Sequence, residues 1–191
     1  MLHPGQIFDS PRGTHVVIRE KSPERISFER TMPPGTGGDK RSRHRHTESH
    51  ESFELLDGEA TTTIEKQDRK LERGEVVEIP LGSAHSNPRS AEHAAATIVH
   101  SVVPCTRAVE VYFASWLHWL QEGKTADNDE PTTLQLAAIT KEGGFGGTFV
   151  AGVPIVLQRL GLPVLGLIAS LLGTHAVKVP AAPDVGRPAA D

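Results

Sequence analysis

The sequence predicts a mostly β protein, an antiparallel barrel or sandwich that is followed by a helical C-terminal extension. Between residues 14 and 103, short stretches with strand character alternate with turn residues, which is typical of an all-β domain. After Pro104, apolar residues recur at helical spacing instead. With 191 residues, 37% of them hydrophobic, the chain can bury one good core and a small appendage rather than two full domains.

Seven strands are predicted in the N-terminal part of the chain. They span residues 14–19, 25–32, 42–46, 52–56, 60–66, 75–79 and 95–103. Turn residues such as Pro33-Pro34-Gly35 and Pro80-Leu81-Gly82 separate them. Asp57-Gly58 predicts a two-residue hairpin between the fourth and fifth strands, because both residues tolerate positive φ.

Helices are predicted in the C-terminal part, over residues 107–121 and from 131 or 132 to 141. The apolar segment 149–172 is interrupted by Pro154 and Pro163, whereas a transmembrane helix needs about 20 consecutive apolar residues. Two short helices, amphipathic or buried, therefore suit this segment better than a membrane span.

Three segments of different character follow from these patterns. Residues 1–104 are predicted to form the β-barrel, and residues 105–174 the helical extension. Residues 175–191 are rich in proline and alanine and are predicted to be a disordered tail.

Composition and charge exclude several classes of function. The formal net charge is -4, which gives no overall attraction to nucleic acid or to anionic membranes. Cys105 is the only cysteine, so an intrachain disulfide and a thiolate zinc site are both excluded. Residues 1–10 lack the basic start and apolar stretch of a secretory signal. A small-molecule partner and a reducing, cytoplasmic location are therefore expected.

Histidines and carboxylates concentrate in one short stretch, residues 44–51. It contains three histidines and two glutamates, and His85 follows after a predicted strand and turn. Side chains alternate faces along a strand, so His44 and His46 point to the same side and can share one ion. Neutral imidazole and carboxylate are the usual ligands of divalent Fe, Mn, Ni, Cu and Zn.

The spacing of these residues resembles the two sequence motifs of the cupin superfamily. The first, Gly-x5-His-x-His-x3,4-Glu-x6-Gly, is matched in the four-residue form of its variable gap by Gly38, His44, His46, Glu51 and Gly58. The second, Gly-x5-Pro-x-Gly-x2-His-x3-Asn, is matched by Gly74, Pro80, Gly82 and His85. Its final asparagine position holds Arg89, and Asn87 lies two residues earlier, so the turn after His85 is expected to differ.

The resemblance implies a double-stranded β-helix, or jelly-roll, cupin barrel. It also implies one divalent transition metal (Fe, Mn, Ni, Cu or Zn) that is held by His44, His46, Glu51 and His85. Two alternatives for these four positions are a vestigial metal site and a polar loop whose histidines face solvent.

The reaction is not specified by the resemblance, because the superfamily includes dioxygenases, isomerases, decarboxylases, storage proteins and sugar-binding regulators. Three imidazoles and one carboxylate leave a six-coordinate ion with two open positions, which can accept a bidentate anion or a substrate together with O₂. The low aromatic content, 5%, favours a small polar or carboxylated substrate. A metal-dependent dioxygenase is therefore predicted, and a non-catalytic cupin that binds a metal or small ligand is the alternative.

Three further polar residues each have two interpretations. Arg30 shares one face of a predicted strand with apolar residues, so it either enters the cavity and binds a substrate carboxylate or reaches solvent at the end of the barrel. His50 precedes Glu51 and is expected to face the other way, although it could replace or supplement that ligand. His100 alternates with apolar residues and is interpreted as a core histidine rather than a ligand.

The helical extension is expected to pack on the barrel and on a second subunit, which makes the protein a homodimer. Trp116, Leu117, Trp119 and Leu120 give the first helix more apolar surface than one buried stripe needs, and residues 155–172 are apolar on nearly every side. Soluble monomers rarely expose a large apolar patch. Peripheral attachment to a membrane is the alternative.

Overall fold

Eleven strands and three helices make up the computed structural model, which describes residues 1–40 and 42–180. The strands are β1 (Ile7–Asp9), β2 (His15–Lys21), β3 (Ile26–Met32), β4 (His44–His46), β5 (His50–Gly58), β6 (Ala60–Ile64), β7 (Gln67–Lys70), β8 (Val76–Ile79), β9 (Arg89–Ser90), β10 (Ala96–Val103) and β11 (Thr148–Val150). The helices are α1 (Arg107–Gln121), α2 (Thr133–Gly143) and α3 (Ile155–Leu171). The predicted fold class, mostly β with a helical C-terminal extension, is confirmed.

A six-stranded antiparallel sheet in the order β1-β2-β3-β10-β5-β8 forms the larger layer. Alternate residues of its central strands β3, β10 and β5 face inward and stand side by side in rows. The three successive rows are Ile26-Val102-Glu51, Phe28-His100-Phe53 and Arg30-Ile98-Leu55. The register therefore places a carboxylate, an imidazole and a guanidinium on neighbouring rows of an otherwise apolar surface.

Two smaller sheets and helix α1 cover this surface. The smaller sheets are β7-β6-β9 and β11-β4. Near β5 and β8, the larger sheet packs with Ala60 and Leu71 into one apolar cluster. The inner face of β2 and β3 packs instead against α1, which contributes Phe113, Trp116 and Leu117 to a second cluster. Helix α1 thus takes the place of a second sheet over this half of the larger layer.

The predicted hairpin at Asp57-Gly58 is wrong. Strand β5 pairs with β10 and β8, whereas β6 pairs with β7 and β9, so the chain passes from one sheet to another at Gly58. Gly58 has φ +80°, and a Cβ there would lie 1.9 Å from the carbonyl oxygen of Ala95, so this crossing requires glycine. The pairing of β5 with β10 extends to Gly58, so the Asp57-Gly58 sequence does not form a hairpin. The next hairpin along the chain instead joins β6 to β7 through Glu65, at φ 57°.

Helices α1 and α2 form where they are predicted, and each begins with a threonine cap. The last apolar segment begins in β11 and then forms the single helix α3, not the two short helices predicted, and α3 continues through Pro163. Packing on α2 offsets the hydrogen bond that proline removes. At Gly166 the two helices are so close that a Cβ would lie 2.8 Å from the carbonyl oxygen of Ala137. None of the helices described is long and apolar enough to cross a membrane.

The predicted disordered tail begins with residues that pack on α1. The backbone N–H of Val177 donates to Ser115 Oγ at 2.9 Å, and Val179 is buried in the cluster that contains α1. Residues 175–180 therefore lie against the helical extension, while residues 181–191 are outside the described part of the chain. The boundaries at residues 104 and 174 stay predictions.

Candidate metal centre

Four side chains from separate parts of the fold converge on one buried point. Strand β4 carries His44 and His46, β5 carries Glu51, and His85 follows β8, where a backbone bridge ties it to His44. The Nε2 atoms of His85, His46 and His44 lie 2.5, 3.1 and 3.8 Å from Oε2 of Glu51. One possible ligand atom from each of the four residues lies within 4.8 Å of the others. This cluster, the candidate metal centre, could hold a metal ion.

The outer nitrogen of each imidazole is engaged, which leaves Nε2 for a metal. In His44 and His85, Nδ1 lies 3.1 and 3.2 Å from the backbone carbonyl oxygen two residues earlier, and a carbonyl only accepts, so Nδ1 carries the proton. Nδ1 of His46 lies 2.9 Å from Thr148 Oγ1. Such contacts orient the ring and select the tautomer in metal-binding histidines. Three oriented imidazoles and a carboxylate fit a divalent transition metal.

The helical extension contributes directly to this centre through β11. Strand β11 pairs with β4, and Thr148 stands opposite His46 in their register. The approach is close, because a Cβ at Gly147 would lie 2.8 Å from the Glu48 side chain. Residues more than 100 positions apart therefore form one wall of the site.

Glu51 is buried and remains ionised. Burial by itself raises the pKa of Glu51, but electrostatic attraction to His100 and His46 and the hydrogen bond to His100 outweigh it and hold the pKa well below its usual value. Burial lowers the pKa of His46, which favours the neutral, metal-binding form. Burial acts in the same direction on His44, but the nearby negative charge of Glu51, with Oε2 at 3.8 Å, outweighs it and raises the pKa of His44.

The candidate metal centre is open to solvent on the side of β4. The side chains of His44 and His46 are 17% and 13% exposed, whereas those of Glu51 and His85 are 3% and 0% exposed. A ligand from solvent therefore approaches past the two histidines of β4. His50 is exposed and lies outside the cluster, as alternation along β5 predicts.

His100 contacts the cluster, which sequence reasoning missed. It is buried, as a core histidine should be, but its Nε2 contacts Oε1 of Glu51, the oxygen that faces away from the other three imidazoles. Its ring lies among those of Phe28, Phe53 and Phe113, at centroid distances of 4.8, 4.8 and 5.6 Å. The sequence shows only that His100 alternates with apolar residues and therefore faces inward. Its position beside Glu51 depends on the register of β10 against β5.

Arg30 enters the interior, but a carboxylate of the same chain already pairs with it. Its side chain is 3% exposed, Nη1 donates to Oε1 of Glu130 at 2.9 Å, and the guanidinium lies 5.0 Å from the ring centroid of Trp116. The other oxygen of Glu130 accepts from Asn87 at 3.0 Å. Nε and Nη2 of Arg30 and Oδ1 of Asn87 are buried without a hydrogen-bond partner among the residues described. The solvent-facing interpretation of Arg30 is thus excluded.

The loop that carries Glu130 is fixed by its neighbour Asp129. The buried carboxylate of Asp129 accepts from Arg12 Nε and from Thr14 Oγ1, each at 2.7 Å. Its backbone carbonyl accepts from Trp116 Nε1 at 2.8 Å. The loop between α1 and α2 is therefore tied both to the start of the chain and to α1, and it holds Glu130 in the interior.

Comparison with known protein families gives one match. The family model described as Cupin domain matches residues 28–102, which include the whole candidate metal centre. This match assigns residues 28–102 to a cupin domain. Among curated proteins, none matches the sequence significantly.

Solved structures similar to this chain cover about half of it. KdgF from Halomonas sp. is 17% identical over 52% of this chain and 86% of its own, with a TM-score of 0.44. An RmlC-like cupin from Shewanella frigidimarina is 15% identical over 52% of this chain and 84% of its own, also at 0.44. TT1209 from Thermus thermophilus is 20% identical over 49% of this chain and 86% of its own, at 0.42.

Proposed function

We propose that this protein is a metal-dependent enzyme of the cupin type, a dioxygenase that acts on a small polar or carboxylated substrate. The observation that carries the proposal is the convergence of His44, His46, Glu51 and His85 on one buried point that is open on one side. A redox-capable ion at this point would supply Lewis acidity and electron transfer between substrate and O₂. Both oxygen atoms would enter the product, so that no further reductant is required.

The role that we propose for Arg30 and Asn87 is to bind the polar part of the substrate. Within the described part of the chain, Nε and Nη2 of Arg30 are donors without a partner, and Oδ1 of Asn87 is an acceptor without one. Buried polar groups are rarely left without partners, and the adjacent Nε and Nη2 donors of arginine match the two oxygens of a carboxylate. Glu130 pairs with Nη1 on the other side of the guanidinium, and Trp116 covers its face.

Oxygen consumption tests the proposed reaction. The full-length protein, loaded in turn with Fe²⁺, Mn²⁺, Ni²⁺ or Cu²⁺, is expected to consume O₂ with at least one member of a panel of enols, diols and β-dicarbonyls, and ¹⁸O₂ should label the product with two atoms. The Zn²⁺-loaded protein is the matched control, since the same donors then hold an ion without redox chemistry. If the protein consumes no O₂ with any of these metals and any of these substrates, it is instead a non-catalytic cupin that binds a metal or small ligand.

We also propose that the protein is a homodimer, with α3 at the interface. Helix α1 cannot supply this surface, because Trp116, Leu117, Trp119 and Leu120 are all buried within the chain. The outer face of α3 is different, because its apolar side chains are 41–80% exposed: Val156, Leu157, Leu160, Val164, Leu167, Ile168, Leu171 and the adjoining Leu172. Soluble monomers rarely leave so continuous an apolar face in water, so a second copy of the chain is the proposed partner of this face.

Light scattering on the full-length chain tests the dimer. The unmodified protein is expected to have twice the mass of one chain, and Leu160→Glu combined with Leu167→Glu is expected to be monomeric, because two charges would be buried at the centre of the interface. Leu81→Glu, at a leucine in the turn after β8 that is 50% exposed, is the matched control and should stay dimeric. A monomeric unmodified protein, or one that binds phospholipid vesicles through α3, would contradict the proposal.

The setting that we propose is the reducing cytoplasm, with a small-molecule substrate and a second copy of the chain as partners. Cys105 is the only cysteine, and burial raises the pKa of its thiol, so it stays protonated and unreactive. The net charge of -4 argues against nucleic acid as a partner.

A further inference from the structure

The two carboxylate oxygens of Glu51 have different surroundings. Oε2 faces the Nε2 atoms of His85, His46 and His44. Oε1 points the other way and contacts Nε2 of His100. His100 lies on β10, one row further along the inner face of the sheet than Glu51 on β5, so its ring reaches the carboxylate diagonally across the two strands.

The ring of His100 has little freedom to leave this position. It is 6% exposed and is surrounded by aromatic rings from three elements: Phe28 of β3, Phe53 of β5 and Phe113 of α1. The ring of Phe113 meets it edge to face, at an interplanar angle of 87°. Phenyl rings offer no strong hydrogen-bond acceptor, so the carboxylate is the favourable partner for the Nε2 edge of His100.

We infer that His100 is a positioning residue of the metal centre: it donates to Oε1 of Glu51 and thereby leaves only Oε2 to bind the ion. The inference rests on the proposed metal site. A carboxylate can bind an ion through one oxygen or through both. With both oxygens bound, the three imidazoles and Glu51 would fill five of about six positions, whereas one-oxygen binding leaves two positions open. His100 therefore determines whether a bidentate ligand can reach the ion.

Two properties of the Co²⁺-loaded full-length protein test this role: its affinity for Co²⁺ and its binding of acetohydroxamate, a bidentate anion, which is followed by the visible spectrum. His100→Phe keeps the ring in the aromatic surroundings but lacks a donor. It is expected to weaken Co²⁺ binding about 10- to 100-fold, the usual effect of losing such a partner, and to abolish the spectral change with acetohydroxamate.

Glutamine and asparagine at position 100 form a matched pair with the same amide group. His100→Gln places its amide nitrogen near the position of Nε2 and is expected to restore both properties to within a few fold. His100→Asn ends one bond shorter, near the position of Nδ1, and is expected to behave like His100→Phe. A purely structural role would affect the unfolding of these variants but would not distinguish the two amides in this way.

Wild-type Co²⁺ affinity and a wild-type acetohydroxamate spectrum in His100→Phe would overturn the inference. Equal loss of both properties in folded His100→Gln and His100→Asn would overturn it as well. Failure of the unmodified protein to bind Co²⁺ would reject the metal site itself, and with it this role. Measuring the unmodified protein first distinguishes that outcome from the other two.

Discussion

Replacing Glu130 with leucine is expected to lower the free energy of unfolding by about 3–5 kcal/mol, the usual effect of removing one partner of a buried ion pair. Glu130 and Arg30 are 7% and 3% exposed, so water cannot replace the lost partner. Urea unfolding, followed by the fluorescence of Trp116 and Trp119, measures the change. The effect arises because the guanidinium of Arg30 is left buried without a counter-charge.

An exposed ion pair of the same kind provides the control. Lys70 and Glu59 are 3.1 Å apart, and their side chains are 68% and 46% exposed. Glu59→Leu is expected to change the free energy of unfolding by at most about 1 kcal/mol. Arg30→Met combined with Glu130→Leu should recover most of the stability that Glu130→Leu loses, because neither charge then remains buried. A double variant less stable than either single variant would contradict this explanation.

The same double variant tests whether Arg30 binds the substrate. It is expected to retain its metal, because neither Arg30 nor Glu130 contacts the imidazoles of the candidate metal centre through a hydrogen bond. If Arg30 holds the polar part of the substrate, KM rises in this variant because the two free donors are lost. An unchanged KM would reject Arg30 as a substrate anchor while leaving the metal site intact.

Replacing His46 and His85 together with alanine is expected to reduce the metal content from about one ion per chain to nearly none. The reason is that two of the four convergent donors are lost, and the remaining pair, His44 and Glu51, is too few for tight binding of a divalent transition metal. Mass spectrometry of the metal in purified, dialysed protein gives the content. Full occupancy in the double variant would eliminate this set of ligands.

Neighbouring residues of β5 supply the matched control for the carboxylate ligand. Glu51→Ala should lower the metal content sharply, because Glu51 is the only anionic group of the cluster. His50→Ala should leave it nearly unchanged, because His50 is exposed on the other side of the strand. The reverse result, with His50 required and Glu51 dispensable, would mean that the first sequence motif is misaligned by one residue.

Much of the site can be predicted from the sequence because it depends on strand parity and motif spacing. Alternation brings His44 and His46 of β4 to one side, and the structure gathers Glu51 and His85 around them. Alternation along β3 also indicates that Arg30 faces inward, and its side chain is buried in the interior. Alternation within a strand is a local pattern, whereas Glu51 and His85 are 34 residues apart and are grouped with the β4 histidines through the resemblance to the two cupin motifs.

The remaining features depend on pairing between distant segments, which no local pattern encodes. Glu130 meets Arg30 across 100 residues, and Thr148 meets His46 across 102, through a three-residue strand without a strong signal of its own. The contact of His100 with Glu51 requires the register of β10 on β5. The misleading turn signal at Gly58 has the same origin, because the pairing of β5 with β10 determines where the chain crosses between sheets.

X-ray absorption at the edge of the bound metal tests the four proposed ligands directly. The full-length protein is loaded with one ion per chain. The atoms found around that ion are then compared with the ligand atoms that His44, His46, Glu51 and His85 would supply. We expect nitrogen and oxygen neighbours at about 2.0–2.2 Å, together with the outer-shell scattering of three imidazole rings. A spectrum without imidazole scattering, or a protein that retains no divalent ion after loading, would contradict this set of ligands.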